Sequence, residues 1–360
     1  MQRARVLLVD DSVVIRQLLT KTLAEDPAIE VIGTASNGKC ALARIDQSVP
    51  DIVVMDVEMP EMTGLEALVE IRKKSPNLPV IMFSTLTAKG AATTLDALML
   101  GASDYVTKPS NIGSVGAAIE RVRADLVPKI KSLCRIVTAP PSAPKVAKSS
   151  PVRPALTLSA RTPEAIVIGV STGGPRALAT LLPGLKPGLG VPVFIVQHMP
   201  PVFTKSLADH LAASSGLDVV EAKAGDEARP GRIFVAPGGY HMRLERRGLR
   251  VVTAIDQEPP ENFCRPAVDV LFRSAAAVYG PALLGVVLTG MGQDGFRGSR
   301  DIVDKGGRVL AQDQATSVVW GMPSFVAEAG LADLLLPIDR IAAEIVLRAR
   351  APVGAGKART

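Results

Sequence analysis

The sequence predicts two α/β domains, each a doubly wound and mostly parallel sheet, joined by a linker. Three observations carry this. Short apolar runs alternate with amphipathic stretches of helical period, in two separate regions. A stretch rich in Pro, Ser and Ala divides those regions. At 360 residues the chain is longer than one typical domain, and a hydrophobic content of 47% can fill two cores. Aromatic residues make up only 3%, so the cores must be aliphatic.

In residues 1–125 the apolar runs predict strands at Val6–Val9, Ile29–Thr34, Ile52–Met55, Val80–Phe83 and Asp104–Val106. Helices are predicted between them, among them Ser12–Ala24, Lys39–Ser48 and Gly64–Lys74. Residues 126–163 contain TAPPSAPKVAKSSPVRP and read as an extended linker. The alternation resumes over 164–350 with AIVIGVS, VPVFIVQHMP and LLGVVLTGMGQDG. Within RIFVAPGGYHMRLERRGLRVVTA, two strand-like runs flank ERRG, which predicts an antiparallel hairpin added to the second sheet.

Charge and composition narrow the function. The net charge of +6 is −3 over residues 1–125, +7 over 126–163 and +2 over the remainder. The excess therefore sits in the linker and not on a folded face. With no helix-turn-helix pattern in the second half, this argues against nucleic-acid binding. No apolar run approaches the roughly 18 residues of a membrane span, so no direct membrane insertion is expected. The first apolar stretch is short and runs straight into Asp10 and Asp11, unlike a signal peptide. Cys40, Cys134 and Cys264 are odd in number and lack metal or disulfide spacing, which fits a reducing cytoplasm.

In parallel α/β sheets, functional groups collect beyond the carboxyl ends of the strands. The first domain ends its strands in Asp10 and Asp11, Asp56, Ser84 and Thr85, and Lys108 before Pro109. Folding would bring three carboxylates, a hydroxyl and an ammonium together. Such carboxylates call for a hard cation such as Mg²⁺, which also neutralises an incoming phosphoryl group, while the lysine steadies its oxygens. Residues 4–125 resemble a two-component receiver domain, a flavodoxin-like five-stranded parallel sheet. The resemblance implies that Asp56 accepts a phosphoryl group from a histidine kinase. It further implies that Asp10, Asp11, Asp56 and the backbone carbonyl of Glu58 hold Mg²⁺. Ser84 then matches the switch hydroxyl, where threonine is commoner, Lys108 the receiver lysine, and Tyr105 the rotating aromatic. Pro60 and Pro109 are expected to shape the adjoining loops.

The second domain opens on IVIGVSTGGP. A dinucleotide fingerprint would read G-x-G-x-x-G with an acidic residue after the second strand. Here Ser171 stands at the middle glycine, and the second strand ends in Gln197 and His198. Gly169 to Gly173 is instead a literal G-x-S-x-G, the pattern that exposes a serine nucleophile beside a helix N-terminus able to stabilise an oxyanion. A serine needs a base. Of His198, His210 and His241, His198 alone ends a strand of this sheet; His210 falls in an amphipathic helix and His241, in a loop, is the reserve. The carboxylate that orients the base is Asp294 in a glycine-rich loop, with Asp269 and Asp301 as alternatives in helical patterns.

GVSTGGP, QHMP, APGGYHM, RPAVDVLF, LTGMGQDG and AQDQATSVVWGMP occur in an order that resembles the catalytic domain of chemotaxis protein-glutamate methylesterases, the CheB family, across roughly residues 164–348. A receiver, a linker and this domain make up that family's architecture. The resemblance implies Ser171 as nucleophile, His198 as base and then acid, and Asp294 as orienting carboxylate. It also implies Thr172 and Met291 at the oxyanion site through their N–H groups, and Arg265 shaping the cleft. Cys264, before the RP motif, receives no role. The implied substrate is a glutamate γ-methyl ester on a chemoreceptor's cytoplasmic domain, hydrolysed with release of methanol, and glutamine deamidation uses the same acyl chemistry. A CheA-type histidine kinase is the implied phosphodonor. Mg²⁺ is expected in the receiver only, none for hydrolysis, and the unphosphorylated receiver is expected to restrain the hydrolase.

Overall fold

The computed structural model describes residues 3–108, 115–136, 161–185 and 189–349. It divides into two compact units, residues 1–149 and 150–360. Pro109 and residues 137–160 of the expected linker lie outside the described residues. Among the described residues no helix is long and apolar enough to cross a membrane.

The first unit runs β1 (Ala4–Val9), α1 (Val13–Ala24), β2 (Ile29–Ala35), α2 (Gly38–Ser48), β3 (Ile52–Asp56), α3 (Gly64–Lys74), β4 (Val80–Ser84), α4 (Ala88–Met99), β5 (Asp104–Thr107) and α5 (Val115–Leu133). The strands pair in the order β2-β1-β3-β4-β5, every pair parallel. Val53 and Val54 of β3, like Ile81 and Met82 of β4, are sealed from solvent, as strands covered on both faces must be. Local signals start the helices. Ser12, Asn37, Thr63 and Thr87 each accept an N–H of the first turn, and Thr63 forms a reciprocal capping box with Glu66.

One boundary differs from the sequence reading. Residues 126–133, assigned to the linker with the basic, Pro/Ser/Ala-rich segment that follows them, form the last turns of α5. Leu126, Val127 and Ile130 are buried against the sheet at helical spacing. Lys131 meets Asp26 at 2.6 Å and ties this end of the helix to the turn between α1 and β2.

The second unit runs β6 (Ala165–Val170), α6 (Gly174–Leu181), β7 (Val193–Gln197), α7 (Phe203–Ser215), β8 (Asp218–Glu221), β9 (Arg232–Val235), β10 (His241–Arg247), β11 (Arg250–Asp256), α8 (Val268–Tyr279), β12 (Leu283–Val287), α9 (Phe296–Asp304), β13 (Arg308–Gln312), α10 (Met322–Glu328), β14 (Leu334–Leu336) and α11 (Ile338–Ala349). Seven parallel strands pair in the order β14-β13-β12-β6-β7-β9-β8. From β6 the chain builds outward through β7, then returns to the other side of β6 with β12. The order reverses there, and such a reversal opens a crevice at the carboxyl ends of the strands.

The hairpin is present but is not part of that sheet. β10 and β11 form a separate antiparallel pair, from His241↔Asp256 to Arg247↔Arg250. RIFV takes the sheet position as β9, while Met242 and Leu244 of β10 bury against Leu271, Phe272 and Ala275 of α8. The alternate residues of β10 thus have their apolar partner on a helix, and edge pairing with the large sheet is unnecessary.

Candidate functional site

In the second unit the register sets the first two groups. Val170 of β6 pairs with Gln197 of β7, and the His198 N–H donates to the Val170 carbonyl at 3.2 Å. Ser171 and His198 are therefore the next residues on adjacent strands, which lie about 4.8 Å apart. Two features shape the serine turn. Gly173 has φ +77°, a left-handed conformation that starts α6. Gly290, from the loop after β12, passes so close that a Cβ there would lie 2.8 Å from Ser171 Cβ. The Ser171 N–H donates to Thr289 O, and Gln197 Nε2 donates to Ser171 O, both at 3.0 Å.

Asp294 comes from the other side of β6 and sits at the start of α8. Its Oδ2 accepts from Val268 N at 2.6 Å, and its Oδ1 from Asp269 N at 3.0 Å and Gly295 N at 3.1 Å. The N-cap residue of α8, Ala267, offers no capping side chain, so Asp294 satisfies the helix's orphan N–H groups from a distance. The same carboxylate meets His198 Nε2 at 2.7 Å. Burial favours the neutral acid, but the His198 contact and the backbone donors win, and Asp294 is held below its ordinary range. An ionised carboxylate has no proton to donate, so His198 Nε2 carries it and Nδ1 is the ring nitrogen left for other work. Burial disfavours the His198 imidazolium; a thiolate at Cys264 and the Asp294 contact would favour it and raise the ring above its ordinary value, whereas beside a Cys264 thiol Nδ1 keeps its lone pair.

Of the remaining sequence candidates, His241 lies at the start of β10, fully buried. Its Nε2 meets Pro259 O at 3.1 Å, and its Nδ1 accepts from Ala267 N at 3.2 Å. Both ring nitrogens are thus engaged with backbone. His210 lies in α7, Asp301 in α9 and Asp269 in α8. Thr172 is buried, and its carbonyl accepts from Thr289 Oγ1. Met291 lies in the loop after β12, next to Gly290. Arg265 donates to the carbonyls of Gln257 and Glu258, fixing the loop that leads into α8.

Two further side chains join the site: Asn262, which the sequence reading did not name, and Cys264, which it named without a role. Asn262 Nδ2 bridges Asp269 Oδ2 and Asp294 Oδ1, each at 2.9 Å. Without that amide two buried carboxylates would face each other; even so, burial and the Asp294 charge raise Asp269 to about 6. Cys264 places Sγ 3.6 Å from His198 Nδ1. The available signal for both was position: they lie a few residues before RPAVDVLF, the motif that holds Asp269.

The first unit collects the other predicted set. Asp10, Asp11 and Asp56 offer carboxylate oxygens within 4.8 Å of one another. Lys108 Nζ lies 2.9 Å from Asp10 Oδ2 and 2.7 Å from Asp56 Oδ2. Burial pushes the Asp56 carboxyl above its ordinary range, with Lys108 pulling the other way. Ser84 Oγ accepts from Thr94 Oγ1 at 2.6 Å, and the Tyr105 side chain is buried, with the Lys129 ammonium 5.3 Å from its ring centre. The Glu58 side chain turns away to Lys89 at 3.1 Å. Three close oxygen donors, two of them buried, suit a hard divalent cation.

The two units have the makeup of a response regulator: a receiver-type sheet with an acidic pocket, joined to a parallel α/β domain with a serine, histidine and aspartate at its crevice. Comparison with known proteins agrees. Residues 6–120 match the response regulator receiver domain, and residues 166–345 match the CheB methylesterase model. The chain is 54% identical to a protein-glutamate methylesterase/protein-glutamine glutaminase of Nocardioides sp., over 96% of this chain and 95% of that one. It is 51% identical to a protein of the same description from Trichodesmium erythraeum, over 97% and 99%. The Thermotoga maritima CheB methylesterase catalytic domain superposes with a TM-score of 0.51 at 42% identity, covering 52% of this chain and 99% of that chain. The chain belongs to the CheB methylesterase family, with a receiver domain at its N-terminal side.

Proposed function

We propose that this protein is a phosphorylation-controlled hydrolase acting on glutamate γ-methyl esters of a chemoreceptor's cytoplasmic domain. The observation that carries the reading is the His198–Asp294 contact of 2.7 Å at the strand end beside Ser171. In this mechanism His198 Nδ1 takes the Ser171 proton as Oγ attacks the ester carbonyl. The proton passes to the departing methoxide, methanol leaves and an acyl-enzyme remains. His198 then deprotonates a water, which attacks the acyl carbon, and Ser171 recovers its proton as the glutamate is released. N–H groups of Thr172 and Met291 stabilise the oxyanion. A glutamine side chain would enter the same cycle, with ammonia leaving in place of methanol.

Asp56 is the phosphoryl acceptor, Asp10, Asp11 and the Glu58 carbonyl complete the Mg²⁺ site with it, and Ser84, Lys108 and Tyr105 respond to the phosphoryl group. Mg²⁺, when bound, supplies charge neutralisation. Lys108, already between Asp10 and Asp56, is placed to hold a phosphoryl oxygen. The phosphodonor is a CheA-type histidine kinase, and the setting is the cytoplasm. The test is methanol release from a methylated receptor fragment, with and without a small phosphodonor and Mg²⁺. Release that rises with the donor supports esterase and control together. No release from several receptors by the folded chain overturns the enzyme reading in favour of a phospho-dependent adaptor.

A further inference from the structure

We propose that Cys264 Sγ and His198 Nδ1 form an inhibitory site for a borderline-soft divalent metal ion, Zn²⁺ being the probe of choice. Zinc bonds to thiolate sulfur at about 2.3 Å and to imidazole nitrogen at about 2.0–2.1 Å, so two ligands at the tetrahedral angle stand about 3.5–3.6 Å apart. Cys264 Sγ stands 3.6 Å from His198 Nδ1. Without metal that spacing serves an S–H···N contact; with metal it is already the edge of a coordination tetrahedron.

The other side of the ring is prepared as well. A ligating imidazole characteristically donates its second N–H to a carboxylate, which fixes the tautomer and raises the basicity of the ligating nitrogen. Asp294 does this at Nε2 and is itself held by two N–H groups of α8, Gly295 N and Asn262. His198, Cys264 and Asp294 together bring their ligand atoms within 4.8 Å, but Asp294 is engaged with the far nitrogen and acts on the metal through the ring. A nitrogen–sulfur donor pair favours zinc or a similar ion over Mg²⁺, whose oxygen donors lie in the first unit. Binding displaces the thiol proton to solvent and occupies the Nδ1 lone pair.

The inhibitory consequence rests on His198 Nδ1 serving Ser171, as proposed above; the binding site itself does not. A metal-held Nδ1 cannot accept a proton, so saturating Zn²⁺ should slow methanol release about 100-fold, the lower end of a general base's contribution. The test uses the full chain. Co²⁺ is titrated first, reading the near-ultraviolet thiolate-to-cobalt charge-transfer band, followed by displacement with Zn²⁺. The band should vanish in Cys264→Ser and in His198→Ala, and persist in a Cys40→Ser/Cys134→Ser double variant. Methanol release is then compared with and without Zn²⁺ within each chain. The wild type should fall and recover on chelation, and Cys264→Ser should keep its own zinc-free rate. A band that survives Cys264→Ser overturns the site. Zinc that slows wild type and Cys264→Ser equally places the metal elsewhere, for instance on Asp10, Asp11 and Asp56, and overturns the inhibition. A chain that releases no methanol even without metal removes the hydrolase reading, while the cobalt band still decides the site.

Discussion

Asp294 meets His198 Nε2 at 2.7 Å while capping the first turn of α8 with the same carboxylate. One side chain thus ties the orientation of the imidazole to the position of a buried helix. Against burial, the His198 contact and then the helix N-terminus keep the carboxylate ionised, and the ionised carboxylate keeps the proton on Nε2. Replacing Asp294 by Asn preserves size but allows the other tautomer. We expect Asp294→Asn to lower kcat for methanol release by about 10³–10⁴-fold with little change in KM, on the pattern of serine-hydrolase triads. Steady-state kinetics beside a circular dichroism check of the fold measures this, and a loss below tenfold would remove Asp294 from the proposed role.

Asn262 acts through the carboxylates it bridges. It bridges Asp294 and Asp269 with one amide, and the backbone at Asn262 and Phe263 has positive φ, 52° and 63°. In Asn262→Ala the two buried acids lose their shared donor and repel each other, which shifts Asp294 against its remaining backbone donors. Misplacement of a catalytic group by about an ångström costs up to about 100-fold. The expected outcome is a fall in kcat of about ten- to 100-fold at constant KM, with Asn262→Gln recovering less than half of it. An unchanged kcat would leave Asn262 a structural residue only.

The acidic pocket of the first unit makes a separable prediction. Asp56 and Asp10 share the Lys108 ammonium, so a phosphoryl group on Asp56 would take over a contact that already exists. Asp56→Asn should retain no labelled phosphate from a small phosphodonor, and the donor should no longer alter the rate of methanol release. Labelling that persisted in this variant would move the acceptor to another residue.

Acid stability of the first unit should depend on Asp26. Burial raises its carboxyl, but Lys131 and the Ala28 N–H outweigh this, and its ionisation lies below the ordinary value. The unfolded chain therefore binds the proton more readily than the folded one. The pair's stabilisation is complete above the unfolded value of about 4 and is lost as pH falls through the lower folded value. Protection factors across α5, which take out the intrinsic pH dependence of amide exchange, should fall in the wild type as pH drops below about 4, and Asp26→Asn should be less protected above that pH with a shallower dependence. Parallel profiles for the two chains would contradict it.

The sequence by itself determined whatever depends on neighbours along the chain. The strand and helix alternation and the placing of Asp10, Asp56, Ser171 and His198 at strand ends were legible, because burial on both faces writes apolar runs and amphipathic helices write a period of about 3.6. Tertiary structure decided what depends on partners far away. α5 continues through residues 126–133 because Leu126, Val127 and Ile130 have a sheet to cover, a fact that charge composition does not record. The hairpin left the sheet because α8 offered its apolar residues a surface. Asp294, Asp269 and Asp301 were equal in residue type. What distinguishes Asp294 is that the loop after β12 and the start of α8 meet across the sheet, where orphan helix N–H groups and the His198 ring converge on one carboxylate.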